Sequence, residues 1–232
     1  MGRPGGHCRA ALGGLSAVPA QALDAAGVRA WAAAVADAVV AERDRLTELD
    51  AAIGDGDHGV NLVRGFAAVT AALESSDAAT PGAVAVLVGR TLISSVGGAS
   101  GPLYGTLFRA MGKAFGEHAA VDTEQVLTGL TAGLMSIGKL GSAVPGDKTM
   151  VDALTPALVA WEADVVDGGD LVSAARAAAA AAAQGAEATI PMEARRGRAS
   201  YLGPRSVGHE DPGAASTVLV LAALRDVVAA AN

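Results

Sequence analysis

Residues 48–59 read ELDAAIGDGDHG and interrupt a chain that is otherwise patterned for helix. Asp50, Asp55 and Asp57 fall within eight residues, with Gly54, Gly56 and Gly59 among and just after them. Three carboxylates held so close repel one another, and Asp and Gly are poor helix formers. On either side the apolar residues recur at helical spacing. Trp31, Val35, Val39 and Leu46 lie in one run from 28 to 46, and Val60, Val63, Phe66, Val69 and Leu73 in the next.

The same period continues to the C-terminus. Further helical segments are expected from Pro81, over 103–115, 123–140, 147–161 and 171–188, and from Pro212 to Ala230. Asp57, Thr80, Asp122, Asp147 and Asp211 stand where N-caps are expected, and Pro81 and Pro212 where a first turn accepts proline. There is no convincing alternating run for a strand. About eight helices joined by short loops predict an all-α fold, an antiparallel up-down bundle without a linker inside it.

Composition bounds the function. The chain has 232 residues, 51% hydrophobic but only 3% aromatic, so the core must be built from Ala, Leu and Val. A net charge of −7 argues against a nucleic-acid partner. Strongly apolar runs of membrane-spanning length are not evident; LVSAARAAAAAAAQGAEATI (171–190) is mostly Ala and holds Arg176 and Glu187. Cys8 is the one cysteine, which excludes an intrachain disulfide and points to a reducing, cytoplasmic setting. The first twenty residues carry a faint signal-peptide outline, but two glycines break the apolar stretch. A disordered extension over 1–22, followed by one helical domain over 23–232, is the expectation.

Four loops are rich in Gly, Asp and Ser: IGDGDHGVN (53–61), SSVGGASGP (94–102), GSAVPGDKTM (141–150) and RRGRASYLGPRSVGHEDPGAAS (195–216). Each precedes a helix start. In an up-down bundle, loops before every second helix share one end, so the four can form one site. The D-x4-D-x-D cluster offers hard oxygen ligands of the kind Mg²⁺ or Ca²⁺ takes. An EF-hand is excluded: counted from Asp55, position 12 is Phe66, where glutamate is required. A plain acidic loop at a capped helix start is the bland alternative. The Gly97–Gly98 stretch leads bare N–H groups into a helix, a setting that suits phosphate oxygens, although a close interhelical turn reads the same way.

Arg195, Arg196, Arg198, Arg205 and His209 make one basic loop in an acidic protein, either an anion contact or a solvated surface. GLMSIGK (133–139) fits the spacing of a P-loop, but Leu140 stands where Ser or Thr must reach the metal, and no strand precedes it. His58, His118 and His209 lack zinc-ligand spacing. No G-x-S-x-G is present. The loops therefore describe a helical bundle with a metal-and-phosphate site at one end, and phosphoryl transfer is its natural chemistry.

At LDAAIGDGDHGVNLVRGF (49–66), SSVGGASGPLYGTLF (94–108), PGDKTMVDAL (145–154) and ARRGRASYLGPRSVGHEDPGAAS (194–216) the chain resembles the L subunit of dihydroxyacetone kinase, the DhaL family. The resemblance implies an eight-helix antiparallel α-barrel with ADP or ATP at one end. It implies that Asp50, Asp55 and Asp57 bind two Mg²⁺ and carry catalysis, with His58 and Asn61 along the phosphates. Ala99 and Ser100 match the loop that cradles the diphosphate, and Gly141, Met150, Arg198, Asp211 and Pro212 match positions around the adenosine.

The ketose, dihydroxyacetone or a tetrulose, is expected on a separate K subunit. The phosphate is expected either from a phosphohistidine subunit of the phosphotransferase system, through ADP held as a coenzyme, or from exchangeable ATP. Two alternatives remain from other classes. One is a nucleotide-loaded regulator that docks a transcription factor; the other is a metal-stabilised structural bundle that binds no nucleotide.

Overall fold

A computed structural model describes residues 22–231. The expectations for the N-terminal extension, the signal-peptide outline and Cys8 lie outside the described residues. Among the described residues there are nine α-helices: α1 (Ala25–Ala41), α2 (Arg43–Ile53), α3 (His58–Glu74), α4 (Pro81–Ser95), α5 (Ser100–Phe115), α6 (Thr123–Gly141), α7 (Met150–Val166), α8 (Leu171–Glu187) and α9 (Pro212–Ala230). A 3₁₀ helix spans Arg198–Ser206. Two short strands, β1 (Leu23–Asp24) and β2 (Ala120–Val121), pair antiparallel with Leu23 opposite Val121.

The helices α1, α3, α4, α5, α6, α7, α8 and α9 pack each on the next, and α9 packs back on α1, closing an eight-membered ring. The short helix α2 lies at one end against α3, α9 and the 3₁₀ helix. The all-α expectation holds, with one division: the run expected over 28–46 breaks at Glu42 into α1 and α2. Glu42, Arg43, Asp44 and Arg45 interrupt the apolar stripe of α1, and the chain turns so that Leu46 and Ile53 reach the core from a second helix.

Two helix starts are capped differently from the sequence expectation. Thr80, Asp122 and Asp211 cap α4, α6 and α9 as expected. Asp57 occupies the N-cap position of α3 but makes no capping bond: its backbone is helical (φ −116°, ψ −4°) and not extended as in a capping residue, and the Asp50 carboxylate accepts the N–H groups of Asp57 and His58. The N-cap of α7 is Thr149, not Asp147. The Asp147 carboxylate turns instead to the Val144 N–H and the Arg196 guanidinium.

The ring has a filled interior. Trp31 of α1 and Phe108 of α5 meet inside it, ring centroids 5.3 Å apart. The Trp31 indole N–H donates to the Val220 carbonyl of α9 at 2.8 Å, so even this polar atom is satisfied in the core. With few aromatics available, the helices must come close together. Gly82 and Gly89 of α4 face Gly105 and Gly112 of α5 so tightly that a Cβ at Gly112 would stand 2.6 Å from the Gly82 carbonyl oxygen.

Of the described helices, α9 is long and apolar enough to span a membrane by length and composition, with a mean hydropathy of 1.6. Half of that stretch is buried within the fold, against α1, α7 and α8, as befits a core helix.

Two glycines separate packing from propensity. Replacing Gly by Ala favours a helix by roughly 1 kcal/mol, whereas overpacking a close contact costs about 1–3 kcal/mol. Gly112→Ala meets backbone on α4 and should lower the melting temperature, whereas Gly138→Ala, whose Cβ meets nothing nearer than 3.8 Å, should raise it. Thermal denaturation of both variants checks the opposite signs.

Candidate functional site

Because neighbouring helices in the ring alternate in direction, α3, α5, α7 and α9 all begin at the same end. The four loops that precede them line one cavity of about 430 Å³. Asp50, Asp55, Asp57, His58, Ala99, Ser100, Gly141, Met150, Arg198, Asp211 and Pro212 are all on its wall.

The acidic wall is built by a tight turn. Asp50 sits in the last turn of α2, and its Oδ2 accepts the backbone N–H of Asp57 at 2.9 Å and of His58 at 3.2 Å. This carboxylate thus caps α3 from the preceding helix. A Cβ at Gly54 would collide with the same carboxylate, and Gly56 turns the chain at φ +72°, a conformation that glycine adopts without strain. The result gathers Asp50, Asp55 and Asp57, one carboxylate oxygen from each lying within 4.8 Å of the others. Three convergent hard oxygen donors beside open cavity space fit Mg²⁺, which takes few protein carboxylates and completes its shell with water or phosphate.

Beside this wall, α5 begins at Ala99–Ser100 with no side chain capping its first N–H groups, and Gly98 precedes it at φ +67°. An uncapped helix N-terminus facing a cavity is a ready anion cradle. His58 is buried between the two walls. Its Nδ1 lies 3.0 Å from Ser100 Oγ and its Nε2 2.9 Å from Ser216 Oγ. Burial lowers the His58 pKa, against the opposing pull of the Asp50 and Asp57 charges.

The chain of hydroxyls continues from Ser216 to the Tyr104 phenol at 2.6 Å, and burial pushes that phenol up to about 12. A neutral imidazole and a neutral phenol thus fix the Ser100 hydroxyl at the cavity edge.

Asn61 is the sequence-expected residue that does not reach the wall. It is buried, its Oδ1 accepts from Arg64 at 2.8 Å, and its Nδ2 has no hydrogen-bond partner among the described residues. Gly97 and Gly98 lie between it and the cavity edge: a Cβ on either would stand within 4 Å of the Asn61 amide.

The sequence alone does not single out Lys148. It lines the cavity with only 1% of its surface exposed, at φ +62°, and its ammonium donates to the carbonyls of Thr189 (2.8 Å) and His209. In sequence it is a lysine in a polar loop, and only its position between Asp147 and Thr149 of the motif marks it. Asp211, which caps α9 through Ala214 at 2.7 Å, is pushed up to about 7 by burial, with the Asp152 charge adding and the Lys148 ammonium opposing.

Arg198 does not point away from the acidic cluster: its Nε pairs with Asp55 Oδ2 at 3.0 Å. The far wall is apolar, with Leu103, Ile137, Leu140 and Met150, and it suits a flat aromatic base.

The chain matches the DAK2 domain family over residues 52–226. It is 39% identical to the ADP-binding subunit DhaL of the PEP-dependent dihydroxyacetone kinase of Escherichia coli, over 82% of this chain and 91% of that one. It is 37% identical to a D-erythrulose kinase of Mycolicibacterium smegmatis, over 84% of this chain but 34% of that longer one. Its fold superposes on the crystal structure of the C. freundii dihydroxyacetone kinase in complex with AMP-PNP and Mg²⁺, with a TM-score of 0.66 and 27% identity. That match covers 97% of this chain and 38% of the solved one.

Asp211 makes stability depend on pH. Its folded value of about 7 lies above the ordinary carboxylate value, so between roughly pH 4 and 7 the folded state keeps a proton that the unfolded state releases. Its contribution is therefore greatest at the acid end and is lost as the pH rises through 7. Asp211→Asn keeps a cap acceptor and removes the titration. Urea unfolding of the ligand-free protein should show a smaller loss of stability from pH 5 to 7.5 in the variant than in the wild type. Identical losses would contradict the assignment.

Proposed function

This chain belongs to the DAK2 domain family, and on that premise we propose that it is the nucleotide-binding subunit of a dihydroxyacetone-type kinase. In this reading it passes a phosphoryl group through bound nucleotide to a ketose held on a separate K subunit. The observation that carries the reading is the convergence of the Asp50–Asp55–Asp57 cluster and the uncapped start of α5 on one cavity with an apolar far wall. The acidic wall alone repels a nucleotide, whereas the pair of walls accepts one together with a divalent cation.

The three aspartates would hold Mg²⁺, two ions in the family's pattern. When bound, the metal supplies charge neutralisation at the phosphate oxygens. Ala99 and Ser100 present backbone N–H groups to the same anion, and His58, neutral and held at both ring nitrogens, orients the Ser100 hydroxyl. Gly141, Met150 and Pro212 shape the space for the nucleoside. Phosphoryl transfer has a loose transition state, and the protein's contribution is mostly position and charge.

The near full-length match to an ADP-binding subunit of a PEP-dependent kinase favours ADP as a resident coenzyme, recharged by a phosphohistidine subunit of the phosphotransferase system. Dihydroxyacetone is the favoured ketose, and a reducing, cytoplasmic compartment the favoured setting.

Both ring nitrogens of His58 are engaged and the residue is 8% exposed, which fits a positioning role and not that of a phosphate carrier. Reconstitution with a K subunit, the phosphotransferase proteins and phosphoenolpyruvate should give ketose phosphate only when catalytic ADP is present, with no acid-labile phosphate trapped on this chain. Transfer without nucleotide, or phosphohistidine at position 58, would overturn the reading. Asp57→Asn should weaken nucleotide binding in Mg²⁺ by about 10- to 100-fold, the scale of one lost charged contact. Calorimetry on the folded variant checks this.

A further inference from the structure

Between α8 and α9 the chain makes a long excursion, of which residues 196–199 line the cavity. Its root is closed twice. The Gly208 N–H donates to the Ile190 carbonyl at 2.8 Å, and the buried Lys148 ammonium donates to the carbonyls of Thr189 and His209. Its span is held on the α2 side by two ion pairs, Arg45 with Glu210 at 2.7 Å and Arg198 with Asp55 at 3.0 Å.

The second pair uses one of the three clustered carboxylates. A guanidinium seated on Asp55 offsets the repulsion that Asp50 and Asp57 exert there, the same electrostatic role that a divalent cation would fill. Two cations at one carboxylate repel, so occupation by one opposes the other.

We infer that Arg198 is the resident counter-cation of the aspartate cluster, and that a divalent cation entering the cluster displaces it and releases the span carrying the 3₁₀ helix. The inference rests on the proposed metal site. Exposure decides that this contact is an exchangeable latch and not a lock: the Arg198 and Asp55 side chains are 68% and 38% exposed, and such pairs are individually weak. The root, by contrast, is fixed by the buried Lys148, and Arg195 and Arg196 stay anchored on Asp147, so release moves the 3₁₀ helix without detaching the segment. By linkage, whatever favours the Arg198–Asp55 contact weakens metal binding by the same factor.

The test uses the full-length, nucleotide-free protein and Mn²⁺ as a spectroscopic probe. Free Mn²⁺ is followed by electron paramagnetic resonance at fixed ionic strength for wild type, Arg198→Gln and Arg45→Gln. Arg198→Gln should bind Mn²⁺ about two- to fivefold tighter, the scale set by an exposed ion pair. Arg45→Gln, which breaks the pair with Glu210 and a longer one with Glu42 at 3.5 Å but leaves Arg198 on Asp55, should match the wild type. In parallel, Mn²⁺ alone should raise amide hydrogen exchange over 198–206 in the wild type and leave Arg198→Gln unchanged.

Wild-type metal binding with equal or weaker binding in Arg198→Gln would overturn the latch and leave the metal site standing. Equal tightening in Arg45→Gln would reveal a diffuse charge effect and overturn it as well. Absence of Mn²⁺ binding in all three proteins would overturn the metal site, and the latch with it.

Discussion

The Asp50 carboxylate joins the end of one helix to the beginning of the next, and the site is built outward from that contact. Its Oδ2 accepts the N–H groups of Asp57 and of His58, the first residue of α3, while Asp57 itself makes no capping bond. Gly54 is required where the chain passes against the same carboxylate. With Asp50 held on α3, the turn brings Asp55 and Asp57 to it, and the positive end of the α3 dipole partly offsets the clustered charge. A divalent cation would neutralise the remaining charge, and the Arg198 guanidinium already pairs with one of the three carboxylates, Asp55, at 3.0 Å.

Ring geometry explains why the remaining parts meet this turn. Eight helices in an alternating closed ring bring the N-termini of α3, α5, α7 and α9 to one end. Four positive helix ends around one cavity favour an anion, while the aspartates on one wall favour a cation. Neither ligand alone satisfies both walls, whereas a metal-bound phosphate does. The close glycine packing of α4 on α5 serves the same end. It lets a chain poor in aromatics close its core and still leave the α5 start open to the cavity.

Much of this was legible in the sequence because periodicity and loop chemistry are local signals. The helical segments, the Asp cluster and the glycine turn before Ser100 are each written in short stretches. Contacts between distant segments were not legible. The break at Glu42 depends on where Leu46 and Ile53 find their partners. Asp147 reads as a cap until Arg196, 49 residues away, takes its carboxylate. Lys148 reads as a solvated loop lysine, yet it is buried by carbonyls 41 and 61 residues further on. The Arg198–Asp55 pair joins two of the expected site loops in a way that neither loop states by itself.

The central claim is that this cavity binds a nucleoside diphosphate only together with a divalent cation. Isothermal titration of the nucleotide-free protein with ADP, in excess Mg²⁺ and again in excess chelator, tests it most directly. The account predicts one ADP per chain in Mg²⁺ and a loss of affinity of at least about a hundredfold in chelator, roughly 2.7 kcal/mol. Equal ADP affinity under the two conditions would contradict it.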